Sequence, residues 1–168
     1  MGMGTLETEI WGVGDGWLLA ELGEMHVGYS DARAGKEAQL AYQDCQERAI
    51  IETHARGGRR CVMNHAPSPT NLDPVARKRF AEMLKEQHDR LKDTTALFVL
   101  VTPSTIARGI TTAVLWLAPP PYPYAIRADV SAGLEVIQRT DERIDAALYA
   151  REYAELIRAH VPGAEAAA

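Results

Sequence analysis

Six consecutive apolar residues, Ala96-Leu97-Phe98-Val99-Leu100-Val101, constrain this chain more than any other stretch. A strand at a sheet surface alternates apolar and polar residues, because its side chains point in turn to the core and to water. A run that is apolar at every position predicts a strand covered on both faces. Helices packed on the two sides of a sheet supply that cover, so the run predicts the middle of an α/β sheet.

The surrounding patterns supply the rest of such a fold. Thr8 to Val13 and Trp17 to Leu22 are apolar-rich runs joined by Gly14-Asp15-Gly16, which predicts a β-hairpin, and Met25 to Tyr29 predicts a third strand after the Gly23-Glu24 bend. A long helix is expected from Asp31 to Gly57-Gly58. Its inner stripe would be Ala38, Ala41, Tyr42, Cys45 and Ala49, with Lys36, Gln43, Glu47 and Arg48 facing outward. Arg60 to Asn64 reads as a short buried strand, and Ala66 to Asn71 as a proline-stiffened loop. Asp73-Pro74 opens a helix predicted to run to about Lys92 on a stripe of Ala76, Phe80, Met83, Leu84 and Leu91. A helix over Thr105 to Leu117 stops at Pro119-Pro120-Pro121. A strand over Tyr124 to Ala128, a helix capped by Asp129 and Ser131 through Gln138, and an amphipathic helix from Asp141 to His160 follow. The expected organisation is a flexible N-terminus over 1–8, one α/β domain over 9–138, a helix over 139–161 docked on the domain or on a partner, and a flexible tail over 162–168.

Composition bounds the function. At 168 residues, 46% hydrophobic and 24% charged, the chain is long enough and apolar enough for one ordinary core. A formal charge of −5 argues against a protein that neutralises nucleic-acid phosphates. Its basic clusters, Arg56, Arg59 and Arg60 near a Gly-Gly turn and Arg77, Lys78 and Arg79 near a helix start, read as solvated faces. The longest apolar stretch, Ile110 to Pro121, is too short to cross a bilayer and is interrupted by prolines, and the opening Met-Gly-Met-Gly-Thr-Leu suggests neither secretion nor lipidation. A soluble cytoplasmic protein is expected, without membrane insertion and without a nucleic-acid partner. Cys45 and Cys61 match no metal or redox spacing and are expected as reduced, buried thiols.

The order of elements, from about Glu9 to Gln138, resembles the SpoIIAA-like architecture of STAS domains and the bacterial STAS/SEC14-like family. The local likeness lies in Ala96-Leu-Phe-Val-Leu-Val-Thr-Pro-Ser-Thr-Ile-Ala-Arg-Gly-Ile and Ala118-Pro-Pro-Pro-Tyr-Pro-Tyr-Ala-Ile-Arg-Ala-Asp. The resemblance implies a mixed sheet flanked by helices, with Asp141 to His160 an added C-terminal helix. It also implies a non-enzymatic regulatory or scaffold module acting through protein–protein contact; the SEC14-like side of the likeness implies, alternatively, a small-ligand or lipid-binding domain. Anti-sigma-factor antagonists of this fold carry a phosphorylatable Asp-Ser-Ser-Gly-like run. Here Asn64-His-Ala-Pro-Ser-Pro-Thr-Asn-Leu-Asp stands in its place and lacks that motif.

No constellation predicts catalysis, and no cofactor is implied. Gly12-Val13-Gly14-Asp15-Gly16 runs into a strand, whereas phosphate loops open a helix. His26, His54, His65, His88 and His160 lack metal-ligand spacing, and no nucleophile elbow occurs. Asn64, His65, Ser68 and Thr70 follow a strand's carboxyl end, where open α/β sheets bind ligands, and form the candidate ligand or switch loop; a plain stiffened connection is the competing reading. The candidate interface combines two helices. Ile106, Arg108, Ile110, Val114 and Trp116 lie on the first, which is apolar around more than one face, so that either the C-terminal helix or another chain must cover it. Tyr149, Tyr153, Leu156 and Ile157 form one of two apolar stripes on the second, a surface for a protein partner or a second copy.

Overall fold

The computed structural model describes residues 5–68 and 72–164. One six-stranded mixed sheet carries the chain, in the spatial order of the sequence. Strands β1 (Thr8–Gly14), β2 (Trp17–Leu22) and β3 (Met25–Ser30) form an antiparallel meander. Beyond it, β4 (Arg60–His65), β5 (Thr95–Val101) and β6 (Tyr124–Arg127) each add in parallel to the strand before. The turns of the meander fall at Gly16 and Gly23, whose φ angles of 72° and 54° are open to glycine at little cost.

Among the described residues, six helices fill the connections and follow the last strand: α1 (Lys36–Arg56), α2 (Pro74–Glu86), α3 (His88–Thr94), α4 (Thr105–Leu117), α5 (Val130–Thr140) and α6 (Ala146–His160). Right-handed crossovers that always step the same way along a sheet leave their helices on one face. Accordingly α1 packs on β1 and β2 and against α2 and α3, while α4 touches β6. The chain then turns back. Helix α5 covers β4, β5 and β6 on the opposite face, and α6 lies against α5 and reaches β2.

Strand alternation divides the core between these faces. Leu18, Ala20, Leu22, Met25, Val27, Tyr29, Cys61, Met63, Leu97, Val99 and Val101 point toward α5 and α6 and meet Leu134, Ile137, Ile144, Tyr153 and Ile157. Trp17 and Leu19 point the other way, into a smaller cluster with Cys45 and Ala49 of α1, where the rings of Trp17 and Tyr42 meet at a 60° tilt with centroids 5.5 Å apart.

Several expectations change. The central run is β5, but its two faces differ: Leu97, Val99 and Val101 are buried under α5, whereas Ala96, Phe98 and Leu100 are only half-buried. Helix α1 begins at Lys36, because Asp31 is drawn into a turn in which it accepts hydrogen bonds from Tyr29 and Arg33. Gln43, expected on the wet face, is 3% exposed and donates to the Ala76 carbonyl of α2, while Ala41 is exposed. The helix after Asp73 breaks at Gln87, whose side chain is drawn inward to donate to Glu47. Asp73 does cap α2, accepting from the Val75 amide. The last helix starts at Ala146 rather than Asp141, capped by Asp145. Parts of both expected flexible ends are ordered: Leu6 packs on the core, the Glu7 carbonyl accepts from Gly23, and Arg33 donates to the Pro162 carbonyl. Residues 1–4 and 165–168 lie outside the described residues.

Candidate functional site

The parallel strands β3 to β6 end along one edge of the sheet, at Asp31, Ala66, Thr102 and beyond Arg127, the region where this class of sheet forms ligand crevices. The expected loop residues do not converge there. Side-chain alternation places Asn64 on the α1 face and His65 on the α5/α6 face. His65 is 5% exposed, its Nδ1 lies 3.0 Å from the Tyr153 hydroxyl, and its ring meets that of Tyr29 edge-on. Burial pushes its pKa down to about 4, so it is a neutral core histidine at pH 7. Ser68 Oγ accepts from the Ala32 amide and ties the loop to the end of β3. Thr70 lies outside the described residues.

The charged groups at this edge are spent on one another. Asp31 accepts from Tyr29 Oη at 2.9 Å and from the Arg33 amide and guanidinium at 2.7 to 3.2 Å. Burial alone would raise its pKa, but the hydrogen bonds from Arg33 and Tyr29 hold it below the usual carboxylate range. Both basic clusters are partly neutralised, while Arg59 and Arg77 donate to backbone carbonyls. Arg56 and Arg60 pair with Glu21, Arg60 also with Glu24, and Arg79 pairs with Glu47 and Asp44. The thiols lie on opposite faces of the sheet, and burial raises both, Cys61 to about 11. A thiol that stays protonated is a poor nucleophile.

A group of buried polar side chains of a different kind lies between α1 and the sheet. At Gly28 a Cβ would come within 2.3 Å of the Tyr42 hydroxyl and 2.6 Å of Asn64 Oδ1, so only glycine lets these two polar groups close over β3. Asn64 Oδ1, Gln43 Oε1 and Gln46 Oε1 are buried and have no hydrogen-bond partner. Buried amide oxygens are normally satisfied, and these three, on β4 and α1, have no donor among the described residues. Of this group the sequence reading reached only Asn64. Glycine inside a strand and glutamines at positions 39, 43 and 46, beside the apolar 38, 42, 45 and 49, are the signals that point to the rest.

The two halves of the expected interface part company. Tyr149, Tyr153, Leu156 and Ile157 are 0 to 7% exposed and belong to the core of their own chain, which removes them as a surface. Helix α4 buries none of its residues. Ile106, Ile110, Val114, Trp116 and Leu117 are 56 to 80% exposed, because α6 packs on the opposite side of the sheet and covers nothing here. Arg108 is half-buried and turned to the body, donating to the carbonyls of Thr102 and Pro103. The helix is firmly started, Ser104 Oγ accepting from the Ala107 amide, yet its apolar side faces water. No helix among the described residues is long and apolar enough to cross a membrane.

No family model, no curated protein and no solved structure matches the chain.

Proposed function

We propose that this protein is a non-enzymatic regulatory or scaffold module with a SpoIIAA/STAS-like sheet, and that it works by docking another protein on α4. One observation carries the reading: α4 turns its apolar side outward. Among the described residues, five of the ten exposed large hydrophobic ones sit on this one 13-residue helix. Leaving that much apolar surface in water costs about 25 cal/mol per Å², and a patch of this kind marks a contact surface. The sequential run of parallel strands after the meander is compatible with the SpoIIAA-like resemblance, and at the strand ends Asp31 is already paired with Arg33 and Tyr29. A photo-crosslinking residue placed at Leu117 in cells should give a covalent adduct with protein, and one at Glu135 on α5 should not; adducts from neither position would sink the reading.

A second reading rests on the buried polar groups of Tyr42 and Asn64 that close over Gly28. The unpartnered Asn64 Oδ1 suits a small molecule that donates a hydrogen bond, a ligand-binding role within the STAS/SEC14-like resemblance. Native mass spectrometry of protein purified from cells tests it: a bound small molecule lost on Asn64→Leu favours this role, and bare protein in both cases removes it.

A further inference from the structure

We infer that the occupant of the α4 face is a second copy of this chain, paired helix to helix and antiparallel about a two-fold axis. The inference rests on the reading of α4 as a docking face and names its partner.

Spacing is the first argument. The outward residues Ile106, Ile110, Ala113 and Leu117 follow one another at intervals of four, three and four. That is the interval of a helix–helix seam, in which alternating a and d residues insert between those of the facing helix. Antiparallel pairing sets each a position against a d position. Ile106 then meets Leu117 of the second copy, and Ile110 meets the second copy's Ala113, a large residue against a small one at every central contact. Parallel pairing would set Ala113 on Ala113 and leave a void.

Charge is the second. Positions flanking a helix seam usually carry the charges that select an unlike partner. Here Gly109, Thr112, Val114 and Trp116 stand there, and the one ion of the helix, Arg108, is turned to the body of its own chain. A neutral face meets its own copy without repulsion. The same neutrality disfavours an anionic membrane, since helices that lie on such surfaces carry Lys and Arg along their polar side, and this chain has a net charge of −5.

Area is the third. At about 100 Å² for each exposed aliphatic side chain and about 200 Å² for the tryptophan, the face amounts to roughly 600 Å² per copy. Two copies bury about 1,200 Å², the size at which specific interfaces begin. The neighbouring sheet edge does not compete. Strand β6 has four residues, follows Pro121 and Pro123, and its Ile126 carbonyl is taken by the Arg127 guanidinium.

Sedimentation equilibrium from about 1 µM to about 500 µM should show the mass rising from one chain to two, and Ile110→Glu should weaken the dimer at least tenfold. Circular dichroism should not change, because the residue is 61% exposed. A variant that dimerises as tightly as the native chain would overturn the inference. Register is read by disulfide trapping, since both native thiols are 5% exposed or less. A mixture of Ile110→Cys and Ala113→Cys chains should cross-link more than either alone, whereas Ala113→Cys linking chiefly to itself would overturn the antiparallel pairing.

A native chain that remains monomeric throughout overturns the dimer. If α4 still gives adducts with a different protein in cells, the docking reading survives without it. If the monomer instead cosediments with phosphatidylglycerol vesicles and Ile110→Glu does not, both fall.

Discussion

At His65 a single buried ring couples stability to pH. Its pKa is about 4 in the fold against 6.5 in an exposed chain, so between those values the unfolded state takes up a proton that the folded state refuses. Stability from this group is therefore intact above pH 6.5 and lost as pH falls toward 4, by about 2 kcal/mol between pH 7 and pH 5. Urea midpoints at those two pH values should differ accordingly in the native protein, and the part due to this ring should vanish in His65→Gln. Gly28 makes the opposite kind of demand, for absence of a side chain. Gly28→Ala drives a methyl group into Tyr42 and Asn64 and should cost about 1 to 3 kcal/mol, a fall in urea midpoint with unchanged secondary structure. The Gly28 contacts come from two other elements, α1 and β4, which is why the single residue at position 28 carries no legible hint of them beyond being a glycine in a strand.

Helices α4 and α6 read alike as sequences and behave as opposites. Both are amphipathic with aromatic residues, but α6 closes the core over β2 and α5 whereas α4 stands with its apolar side to water. Tyr153→Ala should therefore cost about 3 to 5 kcal/mol in urea unfolding, since it empties a fully buried position and strips His65 of its partner. Trp116→Ala, from a residue 80% exposed, should change the stability of the dilute monomer by less than about 0.5 kcal/mol. Equal losses would mean that α4 is packed on its own chain. Helix α1 shows a third pattern. Its inner side mixes Cys45 and Ala49 with Gln39, Gln43 and Thr53, so no clean apolar stripe sets its rotation, and the outward placement expected for Gln43 fails because α2 brings the Ala76 carbonyl to meet it.

For the whole molecule, the division of burial predicts a gradient of local stability. Amide hydrogen exchange should be slowest in β4 and β5, which have a strand on each side and α5 above, and fastest in α4 at low protein concentration. The α4 amides should slow as concentration rises if the helix pairs with itself; protection of α4 equal to that of α5 at high dilution would contradict the exposed placement. Much of this architecture is legible in the chain itself. The apolar run at Ala96 to Val101, the Gly-Asp-Gly turn, Asp73-Pro74 and the triple proline report strand, turn, helix start and helix stop, because each acts through backbone geometry within a few residues. From such local signals the sequence by itself determined the order and type of the elements apart from the break between α2 and α3, including the limits of α4 at Thr105 and Leu117. Only the tertiary structure decided which apolar face is covered and by what. That choice depends on the crossovers placing α4 on one side of the sheet and α6 on the other, and a hydrophobic stripe records that it needs a partner without recording where the partner lies.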